Sequence, residues 1–198
     1  MGMSKAEKTR GFIIEKTAAI FNIKGFAGTS LNDITDATGL TKGSIYGNFA
    51  NKDEVALAAL DYNVKSVEMK ILAEMNNQHT AKGKLLAYVV AYRDLIAGKI
   101  SPGGCPVLNA SIDADDTHPA LRQKALHALL SWKKQITDLI QDGIANNEIA
   151  SHYYPEQIAL TILALIEGGI MISRLTNSDE TRELLLGSLT AYINNLSP

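Results

Sequence analysis

The chain has 198 residues, 46% of them hydrophobic and 20% charged, with a formal net charge of −2 at pH 7. That is enough chain for one large or two small domains with a sizeable core. A single cysteine excludes an intrachain disulfide, which suits a reducing cytoplasm, and the most apolar run, residues 158–172, holds Glu167 and at 15 residues is too short for a membrane span.

The start, residues 1–8, has no apolar signal region, and Ala6 stands where a myristoylation pattern on Gly2 needs Ser or Thr. Ser4-x-x-Glu7 predicts a capping box for a first helix that buries Phe12, Ile13, Ala19, Ile20 and Ile23 and ends at Gly25. Lys5, Lys8 and Arg10 near its start form either a solvated face or a set of phosphate contacts.

Thr29 and Ser30 then open a very short second helix, with Ser30-x-x-Asp33 as a capping box and Leu31, Ile34 and Ala37 on one face. Gly39 ends it, Leu40 is a buried hinge, and Thr41 caps a third helix whose apolar residues are Ile45 and Phe49. Lys42, Gly43, Ser44, Tyr46 and Asn48 are left facing outward. A lysine, a glycine, two hydroxyls and an amide are poor core material and good groove material. Lys42 can donate to guanine or phosphate, Ser44 and Asn48 can read base edges, Tyr46 can donate to phosphate, and Gly43 permits close approach. The layout is a helix-turn-helix with its second helix as the reader.

Taken together, Gly25-Phe26, Thr29-Ser30, Ile34, Gly39, Leu40, Lys42-Gly43-Ser44-Ile45-Tyr46, Phe49 and Lys52 resemble the DNA-binding module of the tetracycline-repressor (TetR) family. Thr35, Asp36 and Asn48 depart from the residues common there. The resemblance implies DNA contacts from Thr29, Ser30, Thr41, Lys42, Gly43, Ser44, Tyr46, Asn48 and Lys52, the last through a phosphate. It also implies a homodimer joined through the final two helices of each chain.

Asn51-x-x-Glu54 caps a long fourth helix reaching about Met75, and later helices are expected near 82–98, 105–114, 118–146, 155–174 and 179–195. The predicted fold is all-α, about nine helices: a helix-turn-helix domain at 1–52 and a helical ligand-binding and dimerisation domain at 53–198. Residues 1–52 carry seven Lys/Arg and four Asp/Glu, net +3, against −5 for the remainder. A +3 patch binds nucleic acid weakly, so two copies are the natural remedy.

Tyr62, Met69, Tyr88, Tyr92, Leu108, His127 and Trp132 suit either core filling or an apolar pocket with polar anchors. Cys105, between Gly103-Gly104 and Pro106, reads as a helix cap. The helix dipole there lowers a thiol's pKa, and the family resemblance allows a covalent switch, while a small buried space-filler is the plain alternative. The last two helices are apolar on more than one face, and Ile162, Leu165, Gly169, Ile170, Leu185, Leu189 and Tyr192 are the expected dimer residues. Asp113, Asp115, Asp116 and His118 precede a helix start and read as caps, so no metal, cofactor or catalytic residue is expected.

The expectation is a cytoplasmic ligand-responsive regulator, a repressor that binds a palindromic DNA operator as a homodimer and releases it to a small-molecule inducer. The alternative is an all-helical small-molecule-binding or enzymatic protein whose helix-turn-helix only packs. The outward face of the third helix separates the two.

Overall fold

The computed structural model describes residues 4–198; the reading of Gly2 falls outside the described residues. These form nine α-helices and no strand: α1 (Lys5–Gly28), α2 (Leu31–Thr38), α3 (Lys42–Tyr46), α4 (Lys52–Met75), α5 (Ala81–Ile96), α6 (Pro106–Asp113), α7 (Pro119–Ala145), α8 (Pro155–Thr176) and α9 (Asp179–Asn194). The all-helical fold expected from sequence is present. Capping chemistry sets most starts. Ser4 and Ser30 each close a reciprocal capping box, with Glu7 and Asp33, and Thr41, Thr80 and Ser178 cap α3, α5 and α9.

Two compact units divide the chain. One holds the residues up to Ser66 together with Ser101–His127; the other holds Val67–Ile100 and Ala128–Pro198. In the first unit α1 packs on α2 and α6, around a core that includes Ile13, Phe21, Ile34, Ile45, Phe49 and Leu60. The buried face of α1 differs from the expected one. Ile13, Thr17, Ala18, Phe21 and Asn22 point inward, while Phe12 and Ile23 are exposed. Two polar residues occupy the inner stripe because each has partners there: Thr17 donates to the Ile13 carbonyl, and Asn22 serves the 101–109 segment.

Asn22 Nδ2 donates to Ser101 Oγ, Pro102 O and Gly104 O at 2.8–3.1 Å, and Asn109 Nδ2 donates back to Asn22 O and Oδ1. Gly103 and Gly104 make this possible with φ of 98° and 89°. A Cβ on Gly103 would lie 2.8 Å from the Asn22 carbonyl oxygen.

In the second unit α9 packs on α8 and α5. Trp132, Tyr88, Tyr92, Leu85, Ile136 and Ile140 are among its fully buried side chains. Lys70 on α4 bridges Glu74 and Asp94, and Lys70 first, then Lys99, holds the Asp94 carboxyl below the usual carboxylate range.

Helix α8 is 22 residues long and apolar, as the core helix of a folded domain is when another element covers it. In the fold one face of it is core: Ile158, Ile162, Ile166 and Ile170 are buried.

Gly103→Ala combines a left-handed backbone with a clash against backbone, and the expected loss is roughly 2 kcal/mol or more of unfolding free energy. Urea denaturation checks it, with Gly98→Ala as a left-handed control that has open space around its Cβ.

Candidate nucleic-acid interface

The turn between α2 and α3 is built as its sequence implies. Gly39 adopts φ 66°, its amide donates to Thr35 O, and the buried Thr38 hydroxyl donates to Ile34 O and accepts from Leu40 N. Thr41 Oγ1 accepts from Ser44 N at 3.2 Å to start α3. That helix is only five residues long and stops at Gly47, shorter than the Ile45-to-Phe49 span implied, yet Phe49 still donates its amide to Ile45 O at 3.0 Å. Ile45 and Phe49 are buried and fix α3 to the first unit's core.

What α3 leaves outside is specific. Lys42 and Gly43 are exposed, and Tyr46 is 48% exposed. Among the described residues nothing pairs with the Lys42 ammonium or the Tyr46 hydroxyl. A Cβ on Gly43 would meet only Thr41 Oγ1, at 3.9 Å, so internal packing gives no reason for a glycine there. Ser44 is half-buried, and Ser30 and Thr41 are exposed caps.

Three other expected DNA contacts have hydrogen-bond partners within the chain. Thr29 is 1% exposed and its hydroxyl donates to Gly25 O at 2.7 Å. Asn48 Nδ2 donates to Ser44 O at 2.9 Å. Lys52 Nζ donates to Phe26 O at 2.8 Å and Thr29 O at 3.0 Å while lying 4.0 Å above the Phe26 ring. Lys52 thus satisfies carbonyls at the α1–α2 junction, which its neighbours in sequence gave no sign of.

Sequence reasoning also missed the groups that hold the head rigid. Arg10, read as a candidate phosphate contact, donates to Asn48 O at 2.5 Å and Glu54 Oε1 at 2.6 Å and stacks 4.0 Å over Phe49. Glu54 returns its other oxygen to Ala50 N; that amide first, then Arg10, holds the Glu54 carboxyl below its ordinary range. Asp113, at the end of α6, accepts from Phe26 N at 2.6 Å beside Gly25, whose φ is 71°. His118 caps α7 by accepting from Leu121 N and meets the Phe26 ring edge-on at 4.4 Å. Asp113 and His118 are therefore framework, and Asp115 lies 3.7 Å from Arg122.

The expected ligand residues divide between the units. Tyr62, Cys105, Leu108 and His127 belong to the first, and Met69, Tyr88, Tyr92 and Trp132 to the second. Tyr62, Met69 and His127 are exposed, whereas Tyr88, Tyr92 and Trp132 are buried. Cys105 is fully buried at the α6 cap, where its sulfur accepts from Leu108 N at 3.5 Å.

Of the expected dimer residues, Ile162, Gly169, Ile170 and Leu189 are buried within the chain, and Gly169 faces Leu185 at a Cβ distance of 3.9 Å. Leu165 is 39% exposed, and Leu185 and Tyr192 are half-buried. The open face of α8 is Leu160, Ala164, Leu165, Met171, Ile172 and Leu175, and Leu184 is exposed on α9.

Residues 13–59 match the model described as bacterial regulatory proteins of the tetR family, and 81–188 match the tetracyclin repressor-like C-terminal domain. An uncharacterized HTH-type transcriptional regulator of Bacillus subtilis, YxaF, is 32% identical over 93% of this chain and 94% of that protein. The HTH-type transcriptional repressor DhaR of a Mycobacterium species is 24% identical over 96% and 92%. The crystal structure of a TetR-family regulator from Cytophaga hutchinsonii superposes with a TM-score of 0.95 at 46% identity, covering 100% of this chain and 98% of that one.

Gly43→Ala separates fold from reading. It stabilises the unfolding transition by up to about 1 kcal/mol through helix propensity, yet weakens DNA binding, because the added methyl occupies space the protein itself does not use. Thermal melts and a DNA titration of the same preparation measure the two effects.

Proposed function

The chain belongs to the TetR family of bacterial regulatory proteins, and from that premise we propose that it is a cytoplasmic one-component repressor, binding a palindromic operator as a homodimer and releasing it to a small-molecule ligand. The observation that carries this reading is the outward face of α3. Lys42, Gly43 and Tyr46 stand exposed on a helix whose other side is anchored by Ile45 and Phe49, and the fold spends none of the three. Lys42 reads a base or a phosphate, Tyr46 donates to phosphate, and the amides behind Thr41 add partial positive charge. Ser30, Thr41 and Ser44 supply hydroxyls at the rim. Thr29, Asn48 and Lys52 act chiefly by fixing the head, and Lys52, with two of its three N–H donors on the Phe26 and Thr29 carbonyls, keeps one for a phosphate. In this division of roles residues 1–52 are the DNA-binding domain and 53–198 the ligand-binding and dimerisation domain.

A second copy is the natural cover for the apolar face of α8. Leu175 is 80% exposed, and Leu160, Ala164, Leu165 and Met171 continue the strip. Lipid would suit such a strip in a membrane helix, but the opposite face here is already core. Two copies also double the phosphate contacts of a head carrying only +3. Half-sites in successive major grooves lie about 34–36 Å apart or a multiple of it, so a ligand that favours a dimer with mis-spaced reading helices releases DNA through its differential affinity for the two shapes.

The reading is tested by gel shift with genomic fragments at two salt concentrations: a shift that weakens steeply with salt supports it, and no shift at low salt overturns it. Interface placement has its own test. Gly168 has open space where a Cβ would point, so Gly168→Leu leaves the monomer fold intact and splits the dimer in sedimentation. A Gly168→Leu protein that stays dimeric moves the interface off this face.

A further inference from the structure

Within the second unit, one carboxylate is hydrogen-bonded to an aromatic group and, among the described residues, has no cation as a partner. Glu68 on α4 accepts through Oε1 from Trp132 Nε1 on α7 at 3.2 Å. Neighbouring lysines are taken: Lys70 by Glu74 and Asp94, Lys133 by Glu156, Lys134 by Asp138. Among the described residues none forms an ion pair with Glu68. A half-buried carboxylate whose hydrogen bond comes from a neutral indole is under-compensated, since desolvating a charge is costly unless an opposite charge answers it.

An independent observation points to the same place. Tyr88 on α5 is 1% exposed, and its hydroxyl is enclosed with no hydrogen-bond partner. Buried hydroxyls are ordinarily satisfied, so this one calls for an explanation. Burial first, and the Glu68 charge second, push the hydroxyl above its ordinary pKa, in keeping with the two groups sharing one neighbourhood.

The missing complement is a positively charged group with several donors. A protonated amine has up to three N–H bonds: one can meet the free Glu68 oxygen, another the Tyr88 oxygen, and the charge gains from the faces of Tyr88 and Trp132. A neutral alcohol answers the hydrogen bonds and not the charge; a carboxylate ligand is repelled. We infer that Glu68, Tyr88 and Trp132 form the polar end of the ligand site, and that the ligand is an amphiphilic cation, an apolar body carrying an ammonium group. The inference rests on the ligand-responsive reading above and assigns that ligand its class.

Trp132 is the single tryptophan of the chain and reports directly. The full-length protein is titrated at pH 7 with decylammonium, 1-decanol and decanoate while its emission is followed. Decylammonium is expected to bind at least tenfold more tightly than 1-decanol, and decanoate most weakly. Glu68→Gln, which keeps an acceptor for the indole, brings decylammonium and 1-decanol within about threefold of each other, and Tyr88→Phe weakens decylammonium more than 1-decanol. Far-UV circular dichroism of each variant establishes that it is folded. Equal or tighter binding of 1-decanol or decanoate, a preference that survives Glu68→Gln, or no binding of decylammonium overturns the inference. A protein that shifts DNA without preferring the cation refutes the ligand class alone, whereas one that shifts no DNA refutes the regulator.

Discussion

A five-residue helix cannot hold itself. Closing one turn costs more than its hydrogen bonds return, so α3 exists because Ile45 and Phe49 are buried. Burying side chains of that size contributes on the order of 1.5–3 kcal/mol each, enough to outweigh the cost of nucleation. The same constraint frees everything else on α3. With two residues fixing its position, Lys42, Gly43 and Tyr46 carry no packing duty and can be chosen for what lies outside.

Rigidity around that head comes from polar groups that reach far along the chain. Arg10 spans from α1 to the Asn48 carbonyl and to Glu54, and Lys52 ties the start of α4 to the carbonyls ending α1. The Phe26 ring lies between Lys52 and His118, with its amide held by Asp113. The end of α6 and the start of α7 are thereby hydrogen-bonded or stacked onto the residues that set the entry to α2. A helix held this way presents its side chains in one orientation, which the proposed recognition of base edges requires.

Helix existence and type are legible in the sequence because they rest on local signals: Ser4, Ser30 and Thr41 as caps, Gly39 as a left-handed stop, Pro106, Pro119 and Pro155 in first turns, whereas the caps Thr80 and Ser178 emerge only in the structure. The turn and the outward set on α3 were legible for the same reason. What stayed hidden is non-local. Lys52 with Phe26, Asp113 with Phe26 and Glu68 with Trp132 are separated by 26, 87 and 64 residues, and nothing near either partner announces the other. Periodicity also fails where a helix is apolar all round. On α8 it does not say which stripe faces inward: Ile162, Gly169 and Ile170, expected at an interface, are buried within the chain, and the open stripe runs through Leu160, Leu165, Met171 and Leu175. On α1 it failed in the opposite sense, because Thr17 and Asn22 are buried for their hydrogen bonds.

The central claim is that α3 is the element that lies against DNA. Placing a photo-crosslinkable phenylalanine at Tyr46, with a control at the exposed Ile112 of α6, and irradiating the protein bound to a shifted DNA fragment tests it most directly. The account predicts adducts from position 46 at two sites related by twofold symmetry and none from position 112. Shifted DNA that cross-links equally at both positions, or at neither, would contradict it.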